Sequence, residues 1–146
     1  MRRELGDGLE LDDDRTRIDR AAVHGYLGGE SYWAKGRPRE EQDRLIEHAD
    51  RVVGLYDGDV QIGFCRAFTD GAGVVYLADV YVLEPYRGRG LGEALVWTMI
   101  EEGPYARLKW LLHTQDAHAL YRRLGFAEPD YKVMERRPVS QSSEAG

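Results

Sequence analysis

The stretch VYVLEPYRGRGLG, residues 80–92, decides how the rest of the chain is interpreted. An apolar, strand-like run meets a turn that contains proline, and a loop rich in arginine and glycine then leads into a helix. Glycines let backbone N–H groups approach a ligand closely, and a helix N-terminus carries about half a positive elementary charge. Together with Arg87 and Arg89, these N–H groups predict a site for an anion such as a polyphosphate.

The composition is typical of one globular domain. The 146 residues are 42% hydrophobic and 32% charged, which suffices for a single buried core. The formal net charge of −6 argues against a nucleic-acid binder, because such proteins are usually basic. We expect a single domain over residues 1–146, with residues 1–8 and 140–146 flexible.

The cysteine, the histidines and the apolar segments predict where the protein is located and whether it binds a metal. The one cysteine, Cys65, cannot form an internal disulfide and lies in an apolar run typical of a core. The four histidines lack the spacing of metal ligands, so no metal site is predicted. The chain has no run of about 20 apolar residues and no apolar segment after its first residues. We therefore expect a cytoplasmic protein without a membrane span or a signal peptide.

Changes in hydrophobic periodicity divide the chain into short elements. Asp-Gly and Gly-rich turns between three consecutive strands predict an antiparallel meander. The predicted strands cover residues 9–11, 51–56, 60–68, 74–82, 108–113 and 131–136, and the predicted helices cover residues 19–27, 38–49, 90–102 and 116–124. Helices on both faces of a mixed sheet give an α+β or α/β domain.

The glycine loop differs from two common phosphate-binding motifs. It lacks the Gly-Lys-Ser/Thr of a P-loop, and its glycines miss the spacing of a dinucleotide fingerprint, so an ATP- or NAD-dependent protein is disfavoured. The pattern Arg87-x-x-Gly90-x-Gly92 instead resembles the acetyl-CoA signature of the GNAT superfamily of N-acetyltransferases, Arg/Gln-x-x-Gly-x-Gly/Ala. A second segment, TQDAHALYRRLGF at residues 114–126, is similar to the late helix of that superfamily. Its matching positions are Ala117, Leu120, Tyr121, Gly125 and Phe126.

The resemblance implies a mixed, mostly antiparallel twisted sheet flanked by helices, with an acetyl-CoA site at its centre. The fourth predicted strand would carry a bulge that splays it from the next strand. Its backbone would then pair with the pantetheine arm, while the N–H groups of the glycine loop hold the pyrophosphate. Thr114 stands where asparagine is usual in the superfamily. The implied cofactor contacts are Val80, Tyr81, Val82, Arg87, Gly88, Arg89, Gly90, Leu91, Gly92, Thr114, Tyr121 and Arg123.

The resemblance also implies two catalytic side chains. Tyr121 would protonate the departing thiolate, and Asp79 would help the amine to lose a proton, directly or through water. Asp79 matches the strand aspartate of polyamine-type acetyltransferases, but Ala78 replaces their neighbouring glutamate, which argues against polyamine substrates. Asp79 could instead be a structural hydrogen-bonding group, and Tyr121 a core aromatic residue.

The acceptor would approach an aromatic and acidic cluster of Glu30, Tyr32 and Trp33, which suits a cation. The same aromatic residues could simply pack the loop onto the core. His118 shares a helix face with Tyr121 and could contact the substrate or lie on the surface. These patterns predict transfer of an acetyl group from acetyl-CoA to a small cationic primary amine in a ternary complex. A non-enzymatic acyl-CoA-binding domain is the alternative, and a homodimer, common in the superfamily, stays open.

Overall fold

The computed structural model describes residues 1–139, so the end predicted to be flexible, residues 140–146, lies outside the described residues. Short 3₁₀ turns at Arg15–Arg17 and Glu84–Tyr86 accompany the regular elements. The strands are β1 (Arg2–Gly6), β2 (Leu9–Asp12), β3 (Arg51–Asp57), β4 (Val60–Thr69), β5 (Val74–Val82) and β6 (Lys109–Leu111), and the helices are α1 (Arg20–Gly29), α2 (Arg39–His48), α3 (Leu91–Glu101) and α4 (His118–Arg123).

The strands form one six-stranded sheet in sequence order, β1 to β6. Neighbours from β1 to β5 are antiparallel, and β5 and β6 are parallel. The predicted meander of β3, β4 and β5 and the mixed, mostly antiparallel sheet are therefore confirmed. Because β6 is parallel to β5, the chain between them must cross over, and α3 lies in that crossover.

Two apolar cores cover the two faces of the sheet. On one face α3 packs its fully buried Leu95 and Met99 against β3, β4 and β5. On the other face α1 and α2 bury Leu27 and Ile46 against Phe64 of β4. The apolar stripes of these helices thus fix the sheet between two layers.

The helix ends follow local sequence signals. The Asp19 carboxylate accepts a hydrogen bond of 3.0 Å from the Ala22 N–H, as expected for the N-cap of α1. Helix α2 begins after Pro38 without a side-chain cap, and its first turn carries Glu40 and Glu41. Acidic residues there are favourable because they face the positive end of the helix dipole.

Two segments differ from the sequence prediction. The start of the chain is ordered as β1, which pairs with β2 and places Arg2 against the Glu10 carboxylate at 3.1 Å. This pairing covers what would otherwise be an exposed edge of β2. Residues 131–136 do not form the predicted strand, and Met134 in this segment is 93% exposed. Because β6 is only three residues long, it offers a short edge to any further strand.

Candidate active site

Strands β5 and β6 pair over only three residues and then part. Val74, Val75 and Tyr76 are opposite Lys109, Trp110 and Leu111, after which β6 ends while β5 continues to Val82. In the described part of the chain, no strand pairs with this side of residues 77–82. The Val82 carbonyl accepts from Arg87 Nε at 2.9 Å. The backbone of Val80 and Tyr81 is left as an open edge that an extended ligand can join.

A bulge in β5 lies beside this open edge. Phe64 is opposite Tyr81 and Arg66 is opposite Ala78, so Asp79 and Val80 together face the single residue Cys65. Asp79 has a φ of 56°, in the left-handed region that few residues other than glycine adopt. The bulge predicted for this strand is therefore confirmed, and it directs the Asp79 side chain to the α1 and α2 face.

The Asp79 carboxylate is buried and accepts three hydrogen bonds. Oδ1 accepts from Trp33 Nε1 at 2.9 Å, and Oδ2 accepts from Arg37 Nη1 at 2.9 Å and from Arg66 Nε at 2.7 Å. Burial alone would raise the pKa of this carboxyl, but the two guanidinium groups outweigh burial and hold the pKa below its ordinary value. Asp79 therefore stays ionised, and it ties the loop between α1 and α2 to the sheet.

The glycine loop leaves the backbone N–H groups at the N-terminus of α3 open to an anion. Gly88 and Gly90 have φ values of 79° and 75°, and Gly90 precedes the helix without any side-chain cap. The first-turn N–H groups are therefore available to a ligand. A Cβ on Gly92 would lie 3.3 Å from Leu120 Cδ1, so the glycine permits close approach of α4 to α3.

The arginines near this loop divide into two kinds. Arg87 is used structurally, because its Nη2 also donates to the Tyr26 hydroxyl at 2.9 Å. Arg89 lies over the Tyr86 ring, with its Cζ 5.8 Å from the centroid. Arg123 Nε lies 3.5 Å from a carboxylate oxygen of Glu93 in the first turn of α3. The structure thus brings Arg89 and Arg123 to the region of the loop, as charges that an anionic ligand could meet.

Tyr121 lies where the open edge and the α3 core meet. It is 8% exposed, and its ring contacts Phe126 edge-to-face with centroids 5.6 Å apart. Burial raises the pKa of this phenol, and the nearby Cys65, Tyr32 and Asp116 raise it further. No residue among 1–139 forms a hydrogen bond with its hydroxyl in the structure, so a neutral O–H is available to a ligand.

Aromatic side chains line the other face of the sheet. Tyr32 and Trp33 meet at 5.0 Å between centroids, and the Tyr32 hydroxyl accepts from the Gln115 N–H at 3.1 Å. This contact brings the loop between α1 and α2 to the segment between β6 and α4. Phe68 and Tyr76 stack with centroids 5.1 Å apart. The Tyr76 hydroxyl forms a hydrogen bond with His113 Nδ1.

Several predicted site residues do not join this arrangement. Glu30 and His118 are exposed, and neither side chain forms a hydrogen bond or an ion pair within the described residues. Thr114 Oγ1 accepts from the Ala117 N–H at 3.0 Å and so stabilises the start of α4. Among residues 1–139 no group of three or more metal-ligating side chains is found, and no helix has the length and apolar character needed to cross a bilayer.

Sequence reasoning missed several residues that the structure places at the site. Arg66 carried a usable signal, since a charged residue inside an apolar strand is as unusual as Asp79 itself. Arg37, Phe68, Tyr76 and His113 carried none, because each is ordinary at its position in a loop or strand.

Known proteins share this sequence and architecture. The profile of the acetyltransferase (GNAT) family matches residues 12–126. A Gibberella zeae protein named as an acetyltransferase is 32% identical over 71 residues, which cover 47% of this chain and 40% of that protein's length. A crystal structure of a GNAT-family protein from Xanthomonas campestris pv. campestris is 33% identical, covers 89% of this chain and 93% of its own, and has a TM-score of 0.83.

A structure from Deinococcus radiodurans R1, at 24% identity and a TM-score of 0.72, covers 92% of each chain and shows the same fold. The family profile spans most of the chain, and it includes the bulged strand, the glycine loop and Tyr121. The chain therefore belongs to the GNAT family of acetyltransferases.

Proposed function

We propose that this protein transfers the acetyl group of acetyl-CoA to a primary amine, with both substrates bound together. The proposal rests mainly on the bulge at Asp79 and the open backbone edge that follows it and leads to the glycine loop. An extended thiol ester can add to such an edge as a strand would, and its phosphates would then lie at the N-terminus of α3.

The residues present fit acetyl-CoA as the donor, in keeping with its general use in this family. The backbone of Val80 and Tyr81 would pair with the pantetheine arm, and the N–H groups of residues 88–92 would hold the pyrophosphate. Arg89 and Arg123 would add charge near the phosphates. When bound, acetyl-CoA supplies an activated acyl carbonyl, while the protein supplies position and polarisation.

The reaction would be a direct displacement. The neutral amine nitrogen attacks the acyl carbon, an N–C bond forms, and the C–S bond breaks. The Tyr121 hydroxyl gives its proton to the sulfur as negative charge develops there, so the sulfur leaves as the thiol. The proton that the new amide nitrogen sheds then restores the phenol through solvent. Because burial keeps the phenol protonated, Tyr121 holds this donor over the whole physiological pH range.

The contacts of Asp79 support a positioning role and not the proton removal expected from the sequence. Its oxygens already accept from Trp33, Arg37 and Arg66, and its lowered pKa makes it a weak base. On the acceptor face, the Tyr76 hydroxyl meets His113, whose Nε2 lies 2.9 Å from a Glu135 carboxylate oxygen. We assign removal of the ammonium proton to this pair: the Tyr76 oxygen takes the proton as its own passes to His113 Nδ1, and the resulting imidazolium faces Glu135.

The acceptor is a small primary amine that arrives as an ammonium ion. The rings of Tyr32 and Trp33, which are 53% and 41% exposed, provide faces that attract a cation. An amine-library screen that follows thiol release from acetyl-CoA tests the proposal. Amine-dependent thiol release is expected. Binding of acetyl-CoA in calorimetry without thiol release from any amine would instead favour a non-enzymatic acyl-CoA-binding domain.

A further inference from the structure

Arg66 is a buried cation with unused donors beside the aromatic face. The residue is 8% exposed, and its Nε donates to Asp79 Oδ2 at 2.7 Å. A guanidinium has five N–H donors, and in residues 1–139 no acceptor is bonded to either Nη group of Arg66. These Nη atoms are not among the buried side-chain atoms that lack a hydrogen-bond partner, so they reach solvent. The free edge of the Arg66 guanidinium is therefore accessible to an acceptor atom of a ligand.

The Arg66 guanidinium uses only part of its hydrogen-bonding capacity. Arg37 and Arg66 share the carboxylate of Asp79. Arg37 has further partners, because its Nη1 also donates to Gln42 Oε1 at 2.8 Å and its Nε lies 4.0 Å from Glu41. Arg66 pairs with no second carboxylate among the described residues. An anionic group of a ligand can therefore approach the Arg66 Nη groups without displacing a protein partner.

Arg66 lies beside aromatic side chains of the candidate site. The Arg66 Cζ lies 5.8 Å from the centroid of the Phe68 ring, and Phe68 stacks on Tyr76. Phe68 is 45% exposed, which is high for a large apolar side chain in a central strand. An exposed aromatic surface next to a cation suits a ligand with an apolar body and an anionic group.

We propose that the acceptor is an amine that also carries a carboxylate, held by the free edge of the Arg66 guanidinium while its apolar body packs on Phe68 and Tyr76. This inference rests on the proposed function and narrows it from a cationic amine to a zwitterionic one. Arg66 is then the residue that selects the acceptor, through charge-assisted hydrogen bonds from its Nη groups to the carboxylate.

The test compares amines that differ only in the carboxylate, phenylalanine with phenethylamine and leucine with isoamylamine. We expect kcat/KM, measured by thiol release, to be at least about tenfold higher for the carboxylate member of each pair, mainly through a lower KM. Arg66→Lys keeps a cation beside Asp79 but loses the planar donor fork, and it should bring the ratio close to one. The matched control Arg37→Lys touches the same carboxylate and should leave the ratio unchanged.

Two further measurements keep the outcome clear. On the unaltered protein, 3-phenylpropionate should inhibit acetyl transfer by competing with the amine, and 3-phenylpropanol should not. This measurement does not depend on the folding of a variant. Equal kcat/KM within both pairs, or equal inhibition by the acid and the alcohol, would overturn the carboxylate site while acetyl transfer stands. Calorimetric binding of phenylalanine that Arg66→Lys abolishes, without turnover of any amine, would support the site and overturn acetyl transfer.

Discussion

Trp33 and Asp79 lie 46 positions apart in the chain, and a hydrogen bond of 2.9 Å from the indole Nε1 to the carboxylate Oδ1 joins them. This bond connects the loop between α1 and α2, which carries the exposed aromatic pair, to the bulge of β5. The position of this loop is therefore tied to the bulge beside the open edge of β5.

Replacement of Asp79 by Asn should destabilise the protein by about 3 kcal/mol, because Arg37 and Arg66 would keep buried charges without a counterion. Urea denaturation measures the change in the free energy of unfolding. Asp43→Asn is the control, since Asp43 pairs with Arg39 on the surface of α2 and should cost less than about 1 kcal/mol. Equal losses in the two variants would show that the Asp79 cluster adds no stability.

The same carboxylate should give the protein a characteristic response to acid. Because folding lowers the pKa of Asp79 below its ordinary value of 3.8, its contribution is fully present above that pH. The contribution is lost as the pH falls through the lower folded-state pKa. The difference in unfolding free energy between the parent protein and Asp79→Asn should therefore shrink as the pH falls below 3.8. A difference that stays constant down to pH 2 would contradict this assignment.

Gly90→Ala should lower the affinity for acetyl-CoA about tenfold, because a left-handed φ of 75° strains any residue with a Cβ and displaces the loop N–H groups. Calorimetric titration measures the affinity. Gly71→Ala is a matched control, with a φ of 81° in the turn between β4 and β5 and open space around its Cβ. Both variants should lose about 1 kcal/mol of stability, and only Gly90→Ala should bind acetyl-CoA less tightly.

Tyr121→Phe should lower kcat at least about tenfold and change the dissociation constant of acetyl-CoA little, because it removes a donor that acts when the sulfur becomes negative. Steady-state thiol release and calorimetry measure the two quantities. Tyr105→Phe, at a partly buried tyrosine ahead of β6, serves as the control. Unchanged turnover by Tyr121→Phe with a verified amine would exclude the proposed role of the hydroxyl.

His113→Gln should lower kcat by a factor of about 100, since an amide cannot take a proton from the amine. Imidazole added to the assay should restore part of the lost rate, which a merely structural defect would not allow. His48→Gln, at the exposed residue that ends α2, should leave the rate unchanged. An unchanged kcat in His113→Gln would show that another group removes the proton.

The local signals in the sequence were sufficient for most of the fold. Asp-Gly turns, the Asp19 cap and the apolar periodicity placed the meander and the first three helices within a few residues. The signals failed at both ends. Strand β1 is stabilised by pairing with β2, and residues 131–136 have strand-like composition but no partner strand among residues 1–139. Both results depend on tertiary contacts that propensity does not contain.

The glycine loop before α3 could be predicted because glycine spacing and backbone conformation are local. The cluster around Asp79 could not be predicted, since Arg37 and Arg66 lie 29 positions apart and meet through the Asp79 carboxylate. The same contacts support the proposed positioning role of Asp79. A carboxylate in an apolar strand suggests a base, and only its three donors reveal that its charge is already compensated.

The extra residue in β5 reverses the alternation of the following side chains between the two faces of the sheet. Before the bulge, Val75 and Leu77, at odd positions, point into the core under α3. After the bulge, Val82, at an even position, points into that core, and Tyr81 points into the core under α1. Tyr76 thus lies before this reversal, and the backbone edge at residues 80–82 lies after it. A change of side chain at Tyr76 therefore need not alter the backbone edge at residues 80–82.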